Sequence, residues 1–291
     1  MSEKNTETGL TTGPYALFDR DEDRNDLISG FWRADYAPNT LPERLVLAFL
    51  GPTVDEFAHE RGWECRVELD SITRDYPYWV TEHNGVEVGV VLAPLGASAA
   101  TQNLEFGVAL GANKIIAVGS CGALDTQEEN VFFIPERALR DEGTSFKYLP
   151  AEDWIDLDAA GIEAVEAALA AQNRAGERVT VWTTDGFLRE TPAIIERRRA
   201  AGCDVVDMEC SALAAVSRFR GATYGQLLYT ADSLADLDQH DPRGWGKPPA
   251  ASHSTSPSRP QPGCKSVAGA GLQRLRGKTA EGKTAEESYT A

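Results

Sequence analysis

Residues 205–232 read VVDMECSALAAVSRFRGATYGQLLYTAD and decide the fold. The apolar residues Val205 and Val206 indicate the end of a buried strand, and residues 210–220 are predicted to form the helix that follows it. A second apolar strand precedes Asp232, while Glu209 lies where the first strand passes into its helix. Because α/β proteins bind ligands at the carboxyl edge of the sheet, two acids are predicted at one binding edge.

The rest of the chain repeats this alternation of strands, small-residue loops and helices. Loops rich in small residues follow the strands predicted at 86–93 and 114–119. Other strands are predicted at 44–50, 131–134 and 179–183, and helices at 54–61, 159–171 and 193–201. This order predicts an α/β fold with ligand loops along one edge.

Composition excludes several classes of function. The 291 residues are 42% hydrophobic and 25% charged, which is typical of a soluble globular protein, and no apolar run is long enough for a membrane span. A formal charge of -17 disfavours nucleic acid as a partner. The N-terminus lacks the apolar core of a secretion signal, so we expect a cytoplasmic protein. The four histidines and five cysteines lack metal-ligand spacing, so no metal is expected.

Three regions are predicted along the chain. Residues 1–41 are polar and are expected to be irregular, and residues 42–246 form the compact domain. From residue 247 the sequence becomes rich in proline and serine, so 247–291 is predicted to be a disordered tail.

The two acids suit chemistry on a sugar that carries a base. Glu209 can accept hydrogen bonds from ribose hydroxyls, and Asp232 can protonate a departing heterocycle if its pKa is raised. The alternative is structural: Glu209 favours the positive end of a helix and Asp232 caps a turn. Likewise, the Ser120 hydroxyl and nearby amides can hold a small oxyanion, or residues 119–123 are a simple tight turn.

Four segments, taken in order, resemble the nucleoside phosphorylase and nucleosidase superfamily. They are Gly96-Ala97-Ser98 with residues 110–112 and 115–123, then 140–145, 183–191 and 206–213, of which the last resembles the family's valine-glutamate-methionine-glutamate signature. The resemblance covers residues 42–246. It implies a three-layer α/β fold with a mixed central sheet flanked by helices, and nucleoside and phosphate as substrates without a metal or organic cofactor.

The resemblance also implies roles for single residues. Glu209 and Asp232 would be catalytic, Glu209 by holding the ribose and Asp232 by assisting the base. The substrate-binding residues would be Gly96, Met208, Phe187 and Arg189, with Phe187 packed on the base. Phosphate would contact Gly119, Ser120 and an arginine from a neighbouring subunit, Arg74, which implies a homodimer or a trimer of dimers.

Two departures from the family pattern concern phosphate. Ala117 and the loop containing Asp55 occupy positions where family phosphorylases carry arginines. Losing two such contacts to a dianion removes about 3 to 6 kcal/mol of binding. Either Arg74 together with another basic group such as Arg140 replaces them, or water replaces phosphate.

A third departure is the tail, which lacks the long C-terminal helix of the family. An altered reading frame near codon 247 would account for both the change in composition and the missing helix.

The sequence therefore predicts a nucleoside phosphorylase that converts a nucleoside and phosphate to a free base and ribose 1-phosphate. A hydrolytic nucleosidase of the same fold and a non-catalytic nucleoside-binding protein are the alternatives. The preference for purines or pyrimidines stays open, because Asp232 favours purines whereas Phe187 and Arg189 resemble the loop of pyrimidine enzymes.

Overall fold

A computed structural model of the chain describes residues 3–4, 10–128, 131–238 and 240–242. The predicted tail, 247–291, lies outside these residues. Among the described helices, none is both long and apolar enough to span a bilayer.

The described chain contains six α-helices and twelve strands. The helices are α1 Ser29–Asp35, α2 Thr53–Arg61, α3 Ala97–Ala109, α4 Ala159–Ala171, α5 Pro192–Ala200 and α6 Cys210–Arg220. The strands are β1 Glu3–Lys4, β2 Thr11–Thr12, β3 Arg44–Ala48, β4 Glu64–Leu69, β5 Tyr76–His83, β6 Val86–Leu92, β7 Lys114–Ala123, β8 Phe132–Asp141, β9 Trp154–Asp156, β10 Glu177–Thr184, β11 Val205–Asp207 and β12 Thr223–Ser233.

Ten of these strands form one mixed sheet in the order β11-β10-β8-β12-β7-β3-β6-β5-β4, with β9 paired to β8. The pairs β6–β3, β3–β7, β7–β12, β8–β10 and β10–β11 are parallel, whereas β8 and β12 run antiparallel. Strand β11 also pairs antiparallel with β7, so β7, β12, β8, β10 and β11 close into a ring. Helix α4 packs on β12, and α6 packs on β12, β8 and α3. The predicted α/β fold with a mixed central sheet flanked by helices is confirmed.

Apolar side chains on both faces of the sheet hold these layers together. The main core includes the fully buried Leu45, Ile115, Phe133 and Leu213. A second cluster lies under the carboxyl ends of β10 and β11 and consists of Leu124, Leu139, Trp182, Ile195, Cys203 and Val206. This second cluster fixes the strand ends from which the predicted site residues project.

Two strands extend further than the sequence predicts. Residues 120–123 are part of β7 rather than a loop, because Gly122 and Ala123 pair with β11 on one side and with β12 on the other. In the same way β8 continues past the predicted end at residue 134 to Asp141, because every residue of β10 pairs with it. Sequence patterns miss these pairings because they depend on partners distant in the chain.

The N-terminal segment also differs in part from the predicted irregular chain. Helix α1 packs on α3 through an edge-to-face contact of Trp32 with Phe106, whose ring centroids lie 5.3 Å apart. Arg220 forms ion pairs with Asp26 at 2.8 Å and with Glu105 at 2.7 Å. Residues 26–35 are therefore docked on the main body.

Close packing between α4 and β12 generates a test of the fold. A Cβ atom on Gly161 would overlap the carbonyl oxygen of Tyr224, which is backbone and cannot move aside. We expect Gly161→Ala to lower the free energy of unfolding by about 1 to 3 kcal/mol or more, measured by urea denaturation. Gly30→Ala is the matched control, because a Cβ atom there meets nothing within 4 Å. Equal stability of the two variants would contradict this packing.

Candidate active site

A cavity of about 390 Å³ opens at the ends of β7, β11 and β12. Its size falls within the range of small-molecule sites. Its lining consists of Leu95, Ser120, Cys121, Gly122, Phe187, Leu188, Glu190, Val206, Asp207, Met208, Glu209, Ala231, Asp232, Leu234 and His240. Both predicted catalytic acids, Glu209 and Asp232, therefore face one cavity, together with the predicted ligands Met208, Phe187 and Ser120.

Glu209 joins two loops at one side of the cavity. It lies between β11 and α6 as predicted, is only 6% exposed, and accepts a hydrogen bond from the backbone amide of Gly96 through Oε1 at 2.5 Å. Gly96 has a φ of 96°, which favours glycine, and directly precedes α3. The predicted residues Gly96 and Glu209 are thus brought together from positions 113 residues apart.

Asp207 is a site residue to which sequence reasoning assigned no role. Its carboxylate is buried and accepts hydrogen bonds from the Thr183 hydroxyl at 2.7 Å, the Cys210 amide at 2.8 Å and the Gln226 side-chain amide at 3.2 Å. These donors come from β10, α6 and β12 respectively. The signal available in the sequence was that Asp207 directly follows the apolar residues Val205 and Val206. A carboxylate at the end of a buried strand requires hydrogen-bond donors.

The two neighbouring acids compete for ionisation. Burial, and then the charge of Asp207, raise the pKa of Glu209 above its ordinary value. Burial raises the pKa of Asp207 as well, but the hydrogen bonds from Thr183, Cys210 and Gln226 oppose this effect. Because Asp207 has the richer set of donors, Glu209 is the member of the pair that takes up a proton first.

Asp232 reaches the cavity through a bulge in β12. Thr230 pairs with Cys121 and Asp232 with Gly122, so Ala231 is an extra residue in the strand. Gly122 leaves room for the acid, because a Cβ atom there would lie 3.2 Å from Asp232 Oδ1. Asp232 Oδ2 lies 2.9 Å from His240 Nε2, and both residues line the cavity.

Glu190 is a further acid in the cavity that the sequence did not single out. It is half-buried, and it lines the cavity beside Phe187 and Asp232. Burial, and then the charge of Asp232, raise the pKa of Glu190 to about 7, whereas His240 lowers it. Arg189, predicted near the base, is exposed and lies outside the cavity lining.

The predicted phosphate ligands are not gathered in one chain. Ser120 lines the cavity, whereas Gly119 packs against Phe49 within the sheet. Arg74 lies outside the lining, where its Nη2 contacts Asp55 Oδ2 at 2.7 Å and Asp55 Oδ1 accepts from Trp79 Nε1 at 2.9 Å.

Arg140 does not replace the missing arginines. It is buried and donates to Ser145 Oγ and to the carbonyls of Leu149, Pro150 and Glu152. The described lining therefore contains four acids and no lysine or arginine.

The raised pKa of Glu209 generates a test in stability. Because the folded state binds this proton more tightly than the unfolded state, the contribution of Glu209 to stability falls as the pH rises above about 4.5. We expect the stability of wild type relative to Glu209→Gln to decline by more than about 1.4 kcal/mol between about pH 5 and about pH 8, measured by urea denaturation. Glu163→Gln, an exposed site on α4, is the control. Parallel curves for wild type and Glu209→Gln would refute the raised pKa.

Solved structures share this fold. A uridine phosphorylase from Vibrio fischeri ES114 is 24% identical with a TM-score of 0.57, covering 66% of this chain and 79% of its own. An AMP nucleosidase from Bacteroides thetaiotaomicron is 20% identical, with a TM-score of 0.61 and coverage of 70% and 89%. A purine nucleoside phosphorylase from Toxoplasma gondii in complex with immucillin-H is 21% identical, with a TM-score of 0.61 and coverage of 72% and 84%.

The family assignment rests on sequence. No curated protein matches the chain. However, the family model described as the phosphorylase superfamily matches residues 44–247, which include every acid that lines the cavity. The chain belongs to the phosphorylase superfamily.

Proposed function

We propose that the chain cleaves the N-glycosidic bond of a nucleoside in the cavity between Glu209 and Asp232. The observation that carries this proposal is the convergence of both acids, from the ends of β11 and β12, on one cavity of about 390 Å³. Membership of the phosphorylase superfamily supports it, since its members act on nucleosides.

Glu209 is suited to hold the sugar. The Gly96 amide donates to Oε1 and the Met208 amide also bonds to the carboxyl group, whose remaining acceptor capacity can take a ribose hydroxyl. Cleavage passes through an oxocarbenium-like state with positive charge at the sugar, and a buried acidic lining stabilises that charge more than it stabilises the neutral nucleoside. Met208 and Phe187 would contact the ribose and the base.

We propose water as the acceptor of the ribosyl group. The described lining has no lysine or arginine to balance a phosphate dianion, and those of its acids that are ionised repel one. Asp55 already engages Arg74, the predicted phosphate ligand, at 2.7 Å. The structural similarity to an AMP nucleosidase is consistent with hydrolysis.

Phosphorolysis is the second candidate. The Ser120 hydroxyl at the cavity favours it, as does the similarity to a uridine phosphorylase and a purine nucleoside phosphorylase. It would require Arg74 of a second copy to enter the site, and hence a homodimer or a trimer of dimers.

The dependence on phosphate separates the two candidates. We expect base release from a panel of purine and pyrimidine nucleosides to proceed at the same rate with and without inorganic phosphate, and to yield free ribose. Chromatography of the sugar product gives the measurement. A rate that rises with phosphate, together with ribose 1-phosphate as product, would establish phosphorolysis instead.

The role of Glu209 has its own test. We expect Glu209→Gln to lower kcat/KM for nucleoside cleavage about 100-fold, equivalent to roughly 2.7 kcal/mol of transition-state stabilisation. The amide keeps the size of the side chain but replaces one acceptor oxygen with an amino group, which cannot accept a hydrogen bond from a ribose hydroxyl. Glu163→Gln, on the exposed face of α4, is the control and should keep full activity. Full activity of Glu209→Gln would exclude the proposed hydrogen bond between Glu209 and the ribose.

A further inference from the structure

Glu190 and Asp232 both line the cavity together with Phe187, the residue predicted to pack on the base, but the two acids have different surroundings. We propose, on the basis of the nucleoside-cleaving function proposed above, that Glu190 rather than Asp232 donates the proton to the departing base. Asp232 then serves as the charged partner that keeps the proton on Glu190.

Glu190 has the position and the freedom of a proton donor. It directly follows the 3-10 turn Phe187–Arg189 and precedes Thr191, whose carbonyl accepts the first bond of α5, so its backbone is anchored on both sides. Its side chain lines the cavity. Among the described residues, Asp232 and His240 act on its carboxyl group through their charges, and no hydrogen bond or ion pair to that group is formed, so it is available to a ligand.

Asp232, in contrast, already has a partner. Its Oδ2 lies 2.9 Å from His240 Nε2, and its Oδ1 lies over Gly122. The imidazole therefore occupies one oxygen of this carboxylate. Asp232 is therefore less available than Glu190 to the nitrogen of a departing base.

The charged groups around Glu190 lead to the same assignment. Asp232 faces it from β12, and the cavity also holds Asp207 and Glu209 from the end of β11, whereas His240 is the basic group. Burial and the Asp232 charge raise the pKa of Glu190 to about 7. A pKa near the working pH is a property of efficient general acids.

The proposed step is hydrolysis of the bond between C1′ of the ribose and the base nitrogen. As the bond from C1′ to the base nitrogen breaks, its electron pair moves to the nitrogen, which takes the proton from Glu190 and leaves a carboxylate. The oxygen of water forms the new bond to C1′ and releases one proton. That proton restores the Glu190 carboxyl group before the next turnover, so that nucleoside and water give base and ribose.

Two substrates separate a proton donor from a structural residue. The base of a nucleoside needs a proton in order to leave, whereas 4-nitrophenolate leaves 4-nitrophenyl β-D-riboside without one. We expect Glu190→Gln to lower kcat about 100-fold for the nucleoside that wild type cleaves fastest. Its rate on the nitrophenyl riboside should stay within about threefold of wild type, which also shows that the variant is folded.

The pH dependence is the second measurement. The wild-type kcat for the nucleoside should fall as the pH rises through about 7, because Glu190 loses its proton. This decline should be absent in Glu190→Gln and absent for the nitrophenyl riboside. Asp232→Asn and the exposed Glu163→Gln are the comparison variants.

Each outcome has a distinct meaning. Equal losses of Glu190→Gln on both substrates, or a selective loss on the nucleoside in Asp232→Asn alone, would overturn the role of Glu190 and leave the nucleoside-cleaving function intact. Release of nitrophenolate but of no base by wild type would also overturn that role. Wild type that cleaves neither substrate would overturn the proposed function itself.

Discussion

The site depends on one constraint, which is that the buried Asp207 carboxylate must be satisfied by donors from three different elements. Thr183 from β10, Cys210 from α6 and Gln226 from β12 all meet it. Leaving such a group without donors would cost several kcal/mol. The ends of these elements are thereby held in register, and Glu209, two residues further on, is placed at the cavity by the same contacts.

The acids in the cavity oppose the stability of the fold and favour its proposed chemistry. Four carboxyl groups in one partly buried space repel one another and give up hydration, and only Asp207 receives a full set of donors. The same field favours positive charge on a sugar ring and disfavours an anionic acceptor. Carboxyl groups with pKa values shifted in this way are common at functional sites.

The sequence predicted the fold well where signals are local. The helix Ala159–Ala171 has the predicted limits, and Glu209 lies where the strand–helix pattern placed it. The prediction from sequence was wrong where the end of a strand depends on residues distant in the chain. Strand β7 continues through Ser120 to Ala123 because β11 and β12 pair with it. Glu190 was missed for a similar reason. Nothing adjacent to it in the sequence shows that Asp232 and His240 lie across the same cavity.

The extra residue Ala231 in β12 makes the position of Asp232 in the cavity sensitive to the number of residues in that strand. Side chains alternate between the two faces of a strand, so a shift of one position moves a side chain to the opposite face. Removing a single residue between Tyr224 and Thr230 would turn the Asp232 carboxylate away from the cavity while leaving the sheet paired. Evolution at this strand can therefore exchange its partly exposed side chains, such as Leu227, more readily than it can insert or delete a single residue.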